Sequence, residues 1–160
     1  MDKLKLIFDQ VDELNSKFIE PMFLKSPVYV FNSESSLVGL DAEVIEENYD
    51  DRHIAWKTPG VYVFLDMYGE PIYCGEASRH LFGRVYDYFA KKVQPEYSKI
   101  HSRYAWWNEV PAGVVLFYIA SNDQNDEGMG YALETRILKN VPLKFNRKKN
   151  IILQDAVQHV

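Results

Sequence analysis

Apolar residues recur at helical spacing in the opening segment, at Leu4, Ile7, Phe8, Val11, Leu14 and Phe18, and Pro21 marks the expected end of that helix. Pro27 then precedes Val28-Tyr29-Val30-Phe31, a short apolar run that predicts a strand, and residues 32 to 36 are rich in turn formers. The acidic, apolar-striped stretch from Leu40 to Tyr49 predicts a second helix.

The pattern sharpens after Thr58-Pro59-Gly60. Val61 to Leu65 and Pro71 to Cys74 flank Met67-Tyr68-Gly69-Glu70, which is the signature of a β-hairpin. Alternation places Tyr62 and Phe64 on one face and Val61, Val63 and Leu65 on the other, and it sends Tyr73 and Cys74 to opposite sides. Gly75 to Ser78 reads as a strand-to-helix turn. Ser78 is the expected cap of a helix carrying Leu81, Val85 and Phe89, with Arg84 and Tyr88 beside that stripe. Gly113 to Ile119 is apolar and β-branched enough for a covered strand. A last helix is expected over Tyr131 to Lys139, with Leu133, Ile137 and Leu138 facing inward. Glu134 shares the inward side, where a carboxylate must meet an arginine, a backbone donor or a metal ion, or else reach the edge of the sheet.

Composition adds limits to this picture. The 160 residues, 47% of them hydrophobic, suffice for one ordinary core. No uncharged apolar stretch approaches the roughly 20 residues needed to cross a bilayer, so no membrane role is expected. One cysteine cannot form an internal disulfide, and MDKLKLIFDQVDEL is too charged for a signal peptide, which points to an intracellular, cytoplasmic protein. The net charge of -5 excludes a chain that binds nucleic acid by being basic throughout. That charge is uneven: residues 1–50 hold 4 basic and 11 acidic side chains, and residues 51–160 hold 14 and 12. Two parts are therefore expected, an acidic N-terminal extension (1–50) packed on the core and a domain (51–160) carrying any anion-facing surface, although an ordinary solvated surface predicts similar counts.

Within the second part, Lys144 and Arg147, Lys148 and Lys149 form the densest positive run and are the leading phosphate contacts. Lys91 and Lys92 open a basic and aromatic stretch ending near Trp106 and Trp107 that suits phosphate contact and stacking, or simple packing of the tryptophans. His53, His80, His101 and His159 make no convincing zinc set with Cys74, which reads as a buried strand residue. No phosphate-binding glycine fingerprint is present.

The order of these residues resembles the GIY-YIG endonuclease family. Gly60-Val61-Tyr62 is followed after ten residues by Tyr73-Cys74-Gly75, then by Arg84 in the next helix, Glu134 in a later helix and Asn146 after it, over about residues 56 to 150. The resemblance implies an α/β (α+β) fold with a small three-stranded antiparallel sheet flanked by helices, here with an N-terminal helical and strand extension. It implies a DNA endonuclease that hydrolyses phosphodiester bonds with Mg²⁺ or Mn²⁺, with structure-selective cutting in keeping with the small size. In that scheme Glu134 ligates the metal, Arg84 neutralises the scissile phosphate, Tyr62 is the general base and Tyr73 orients water or phosphate. A free phenol has a pKa of about 10, so a phenolate base needs a neighbouring cation or metal. Tyr88, Asn146 and His80 are supporting residues; His80 is either a proton relay or an exposed cap.

One position departs from the family's DNA-repair branch, where lysine commonly follows the second motif: this chain has Glu76. The plainer readings are an ion pair for Arg84 and Glu134 and ordinary sheet aromatics for the tyrosines. A catalytically inactive nucleic-acid-binding module and a protein-interaction domain are the alternative functions. A homodimer or a protein partner is compatible with the acidic first segment.

Overall fold

The computed structural model describes residues 2–30, 42–44, 58–85, 111–119 and 128–146. Helix α1 (Lys3–Asn15) is followed by strands β1 (Phe23–Lys25), β2 (Val28–Val30), β3 (Ala42–Val44), β4 (Gly60–Leu65) and β5 (Pro71–Ala77). Helical residues 81–85 (α2), β6 (Gly113–Ile119), helix α3 (Met129–Asn140) and a 3₁₀ turn (Lys144–Asn146) complete the described elements.

The strands form one mixed sheet in the order β3-β2-β6-β4-β5, with β1 also paired to β6. The expected three-stranded antiparallel sheet is therefore corrected to six strands, with four antiparallel pairings and one parallel pairing, β2 with β3. Only β5, β4 and β6 match the expectation. The edge of β6 that β4 leaves open is filled by β1 and β2 lying end to end. Ser26 carries the ladder across the break at Pro27, its N–H donating to the Leu116 carbonyl and its Oγ accepting from the Leu116 N–H, both at 2.9 Å. Residues 42–44, expected inside a helix, are instead β3, because pairing with β2 overrides a weak local pattern. Chains this short show no readable period, and only their partners define them.

Helix α1 is capped by Asp2, whose Oδ1 accepts from the N–H of Leu4 at 3.0 Å and of Lys5 at 3.2 Å. It buries Leu4, Ile7 and Val11. The helix stops at Asn15, well before Pro21, and Phe18 is 37% exposed outside the stripe it was expected to join. Asn15, the last residue of the helix, clamps Phe23, with Oδ1 accepting from its N–H at 2.8 Å and Nδ2 donating to its carbonyl at 2.9 Å.

The two faces of β4 have separate cores, as alternation predicts. Val61, Val63 and Leu65 pack with Cys74, with Leu4, Ile7 and Val11 of α1, and with Leu133, Ile137 and Leu138 of α3. Tyr62 and Phe64 pack on the opposite face with Tyr73, Leu81, Phe82, Val85 and Phe145. α1 and α3 thus share one layer, tied at its rim by Arg136 to Glu13 at 2.5 Å, and α2 lies in the other. No helix of the described residues is long and apolar enough to cross a membrane.

Candidate active site

Among the described residues β5 is an end strand of the sheet, and it carries Tyr73 beside Tyr62 of β4. Tyr62 stands opposite Gly75 in the β4–β5 ladder. A Cβ on residue 75 would overlap the Tyr62 phenol oxygen and ring, so the glycine is the seat on which that side chain lies. The Tyr62 and Tyr73 rings are 6.1 Å apart between centroids, and Phe64 is 5.3 Å from Tyr62 and 6.2 Å from Tyr73. Tyr62 is only 2% exposed, whereas Tyr73 is half-buried and is the more open phenol of the pair.

Asn146 closes part of the outer edge of β5. The Cys74 N–H donates to Asn146 Oδ1 at 2.9 Å, and Asn146 Nδ2 donates to the Cys74 carbonyl at 3.0 Å. The side-chain amide does for one residue what a neighbouring strand would do. It anchors residues 141–146 as they pass round the edge, for Val141 and Leu143 belong to the α3 core and Phe145 to the tyrosine core. Lys144 is exposed on this strap, with Nζ 5.3 Å from the Phe145 ring centroid. Asn146→Asp is expected to lower the unfolding free energy by about 2–3 kcal/mol, because a carboxylate cannot donate to the Cys74 carbonyl and repels it. Denaturant titration checks this; a loss below about 0.5 kcal/mol would remove the clamp from the account.

α2 holds Arg84 half-buried on the tyrosine face, its N–H donating to the His80 carbonyl at 2.8 Å. His80 is exposed just before the first helical residue, and Ser78 is exposed too far upstream to be the expected cap. Leu81 opens the helix by donating its N–H to the Thr58 carbonyl at 3.1 Å. Glu134 is 3% exposed on the inward side of α3, in the layer beyond the sheet. Tyr62, Tyr73 and the helix of Arg84 are thus brought together, and the helix of Glu134 reaches β4 and β5 from the other face. The helices that carry Arg84 and Glu134 pack on opposite faces of the sheet. α3 packs against β5, and Tyr73 of β5 packs against the core that Leu81, Phe82 and Val85 of α2 join.

Among the described residues, no group of three or more His, Cys, Asp and Glu side chains is placed to hold a metal ion. Glu134, to which the resemblance assigns the metal, is a buried carboxylate on α3. Cys74 is buried in β5, where its strand position predicted it. Tyr88, Lys91, Lys92, Arg147, Lys148 and Lys149 lie outside the described residues, as do His53, His101, His159 and the tryptophans. No family model, curated protein or solved structure matches this chain.

Proposed function

We propose that this chain is a divalent-metal-dependent DNA endonuclease acting at the outer edge of β5. The observation that supports the reading is the convergence on residues 73–76 of two neighbouring tyrosine rings, an asparagine-clamped edge and a helix bearing a buried glutamate. Because the helices of Arg84 and Glu134 pack on opposite faces, this reading puts the scissile phosphate at the edge of the strand rather than over the sheet. Lys144, exposed on the strap, then contacts the nucleic-acid backbone.

In this reading Mg²⁺ or Mn²⁺ bound through Glu134 supplies Lewis acidity and a more acidic water. Arg84 stabilises charge developing on the phosphate through its fixed guanidinium donors. Tyr73, as the open phenol, meets the attacking water or a phosphate oxygen. Tyr62, assigned the general-base role from its motif, is nearly sealed over Gly75 and supports Tyr73 from beneath. The relay once open to His80 has no inward side chain to use, since His80 is exposed.

The test is incubation of the full chain with branched, single-stranded and duplex DNA in Mg²⁺ or Mn²⁺, against Arg84→Ala. Cleavage that needs the metal and falls on the order of a hundredfold in the variant is expected. Salt-sensitive DNA binding without scission would favour the inactive binding module instead.

A further inference from the structure

We propose that the groove between α1 and α3 binds a mononucleotide, with Arg136 and Lys139 on the phosphate and Tyr131 against the base. The site does not depend on the endonuclease reading. The groove measures about 570 Å³, a volume that suits one small ligand, and on the α3 side it is lined by Tyr131, Thr135, Arg136 and Lys139. Residues 131, 135 and 139 follow one another at four-residue intervals, so they form a row about 12 Å long on the part of α3 turned away from the sheet.

Two cations and one carboxylate, Glu13 of α1, share this groove. Glu13 reaches Arg136 with a single oxygen, Oε1 on Nη2, and its side chain is 60% exposed, so the pair is open to water and weakly held. Arg136 Nε completes the same edge of the guanidinium as Nη2. Among the described residues it is buried without a hydrogen-bond partner, and so is Thr135 Oγ1 beside it. Buried donors are nearly always paired, so these two mark an arrangement that a further group completes. An anion presenting two oxygens to the Nε and Nη2 edge does so by displacing the exposed carboxylate of Glu13.

Phosphate meets the rest of the groove better than carboxylate, because a third oxygen remains for Lys139. That lysine is exposed one turn beyond Thr135 and Arg136, and a long helical side chain leans back toward the N-terminus of its helix. The C-terminal end of α3 opposes an anion with roughly half a unit of negative charge, which two full cations outweigh. Gln10 and Asn140 join across the seam at 3.2 Å beyond Arg136, so a ligand held by Arg136 extends the other way, toward Tyr131. The Tyr131 side chain, 57% exposed at the far end of the row, offers a ring on which a base can stack.

Binding of adenosine 5′-monophosphate, ribose 5-phosphate and adenosine is measured by calorimetry on the full chain and on Arg136→Lys, Lys139→Ala, Glu13→Gln and Tyr131→Ala, with circular dichroism as the control for folding. The nucleotide is expected to bind, with ribose 5-phosphate about fivefold weaker or more. Arg136→Lys, which keeps the charge and loses the planar fork, and Lys139→Ala should each weaken the nucleotide about tenfold. Glu13→Gln should tighten it about two- to fivefold, since the competing carboxylate is gone. Tyr131→Ala should bring the nucleotide to the level of ribose 5-phosphate. A nucleotide that neither releases heat nor raises the melting midpoint at about 10 mM overturns the site. Binding that survives both Arg136→Lys and Lys139→Ala overturns it as well, because the nucleotide would then lie elsewhere. Weaker binding in Glu13→Gln overturns the exchange at Arg136, whose only service would be to join the two helices, and ribose 5-phosphate binding as tightly as the nucleotide overturns the assignment of the base to Tyr131.

Discussion

Replacing Glu134 by glutamine should reduce metal-dependent DNA cleavage on the order of a hundred- to a thousandfold while the chain remains folded. The side chain is 3% exposed on the inward side of α3, between Leu133 and the Ile137-Leu138 pair that pack on β4. Glutamine keeps the shape and most of the hydrogen-bonding capacity of glutamate, and loses the charge and one oxygen donor that a hard divalent cation requires. A structural role would be largely met by the amide; a ligand role would not. Single-turnover cleavage over a range of Mn²⁺ concentrations, with circular dichroism as the control for folding, separates the two. Cleavage within about threefold of the parent rate would take Glu134 out of the metal site.

The largest loss of stability is expected from Gly60→Ala, at about 3 kcal/mol or more, which lowers the melting midpoint by several degrees. A Cβ there would strike the Phe117 carbonyl oxygen, would stand 2.9 Å from Tyr118 Cα and would stand 2.8 Å from Leu81 Cδ2. The first two are backbone atoms of β6, and Gly60 is paired with Tyr118, so the clash cannot be relieved by turning a side chain. Either the start of β4 leaves the sheet or β6 shifts along a run buried at Val114, Val115, Leu116, Phe117 and Ile119. Gly83→Ala is the matched control. Its nearest neighbour would be His80 Cβ at 3.7 Å, an ordinary contact, and alanine in that helical position should stabilise by about 0.5–1 kcal/mol. Calorimetry of the two variants reads both effects, and equal melting midpoints would refute the packing described at Gly60.

Glu76 is the residue at which sequence reading stopped one step short. As a departure from a familiar pattern it stood out, yet as a neighbour of α3 it did not. Nothing in the order of residues says that position 76 lies beside position 130, where Glu76 Oε2 comes within 3.5 Å of the point a Cβ of Gly130 would occupy. Tyr62 is similar. Its face was legible from alternation, and its burial over Gly75 was not.

Short-range arithmetic by itself determined the β4–β5 hairpin, the opposed faces of Tyr62 and Val61, the covered strand at Gly113–Ile119 and a helix with a carboxylate turned inward. Those features follow from periods of two and 3.6, which any window of the chain displays. Tertiary structure alone decided that residues 23–30 and 42–44 extend the same sheet, that the amide of Asn146 clamps Cys74 across 72 positions, and that the helices of Arg84 and Glu134 pack on opposite faces of that sheet. The physical reason is that these outcomes depend on which edges and layers find each other once the chain collapses. A three-residue strand or a single amide has no pattern of its own and takes its identity from its partner.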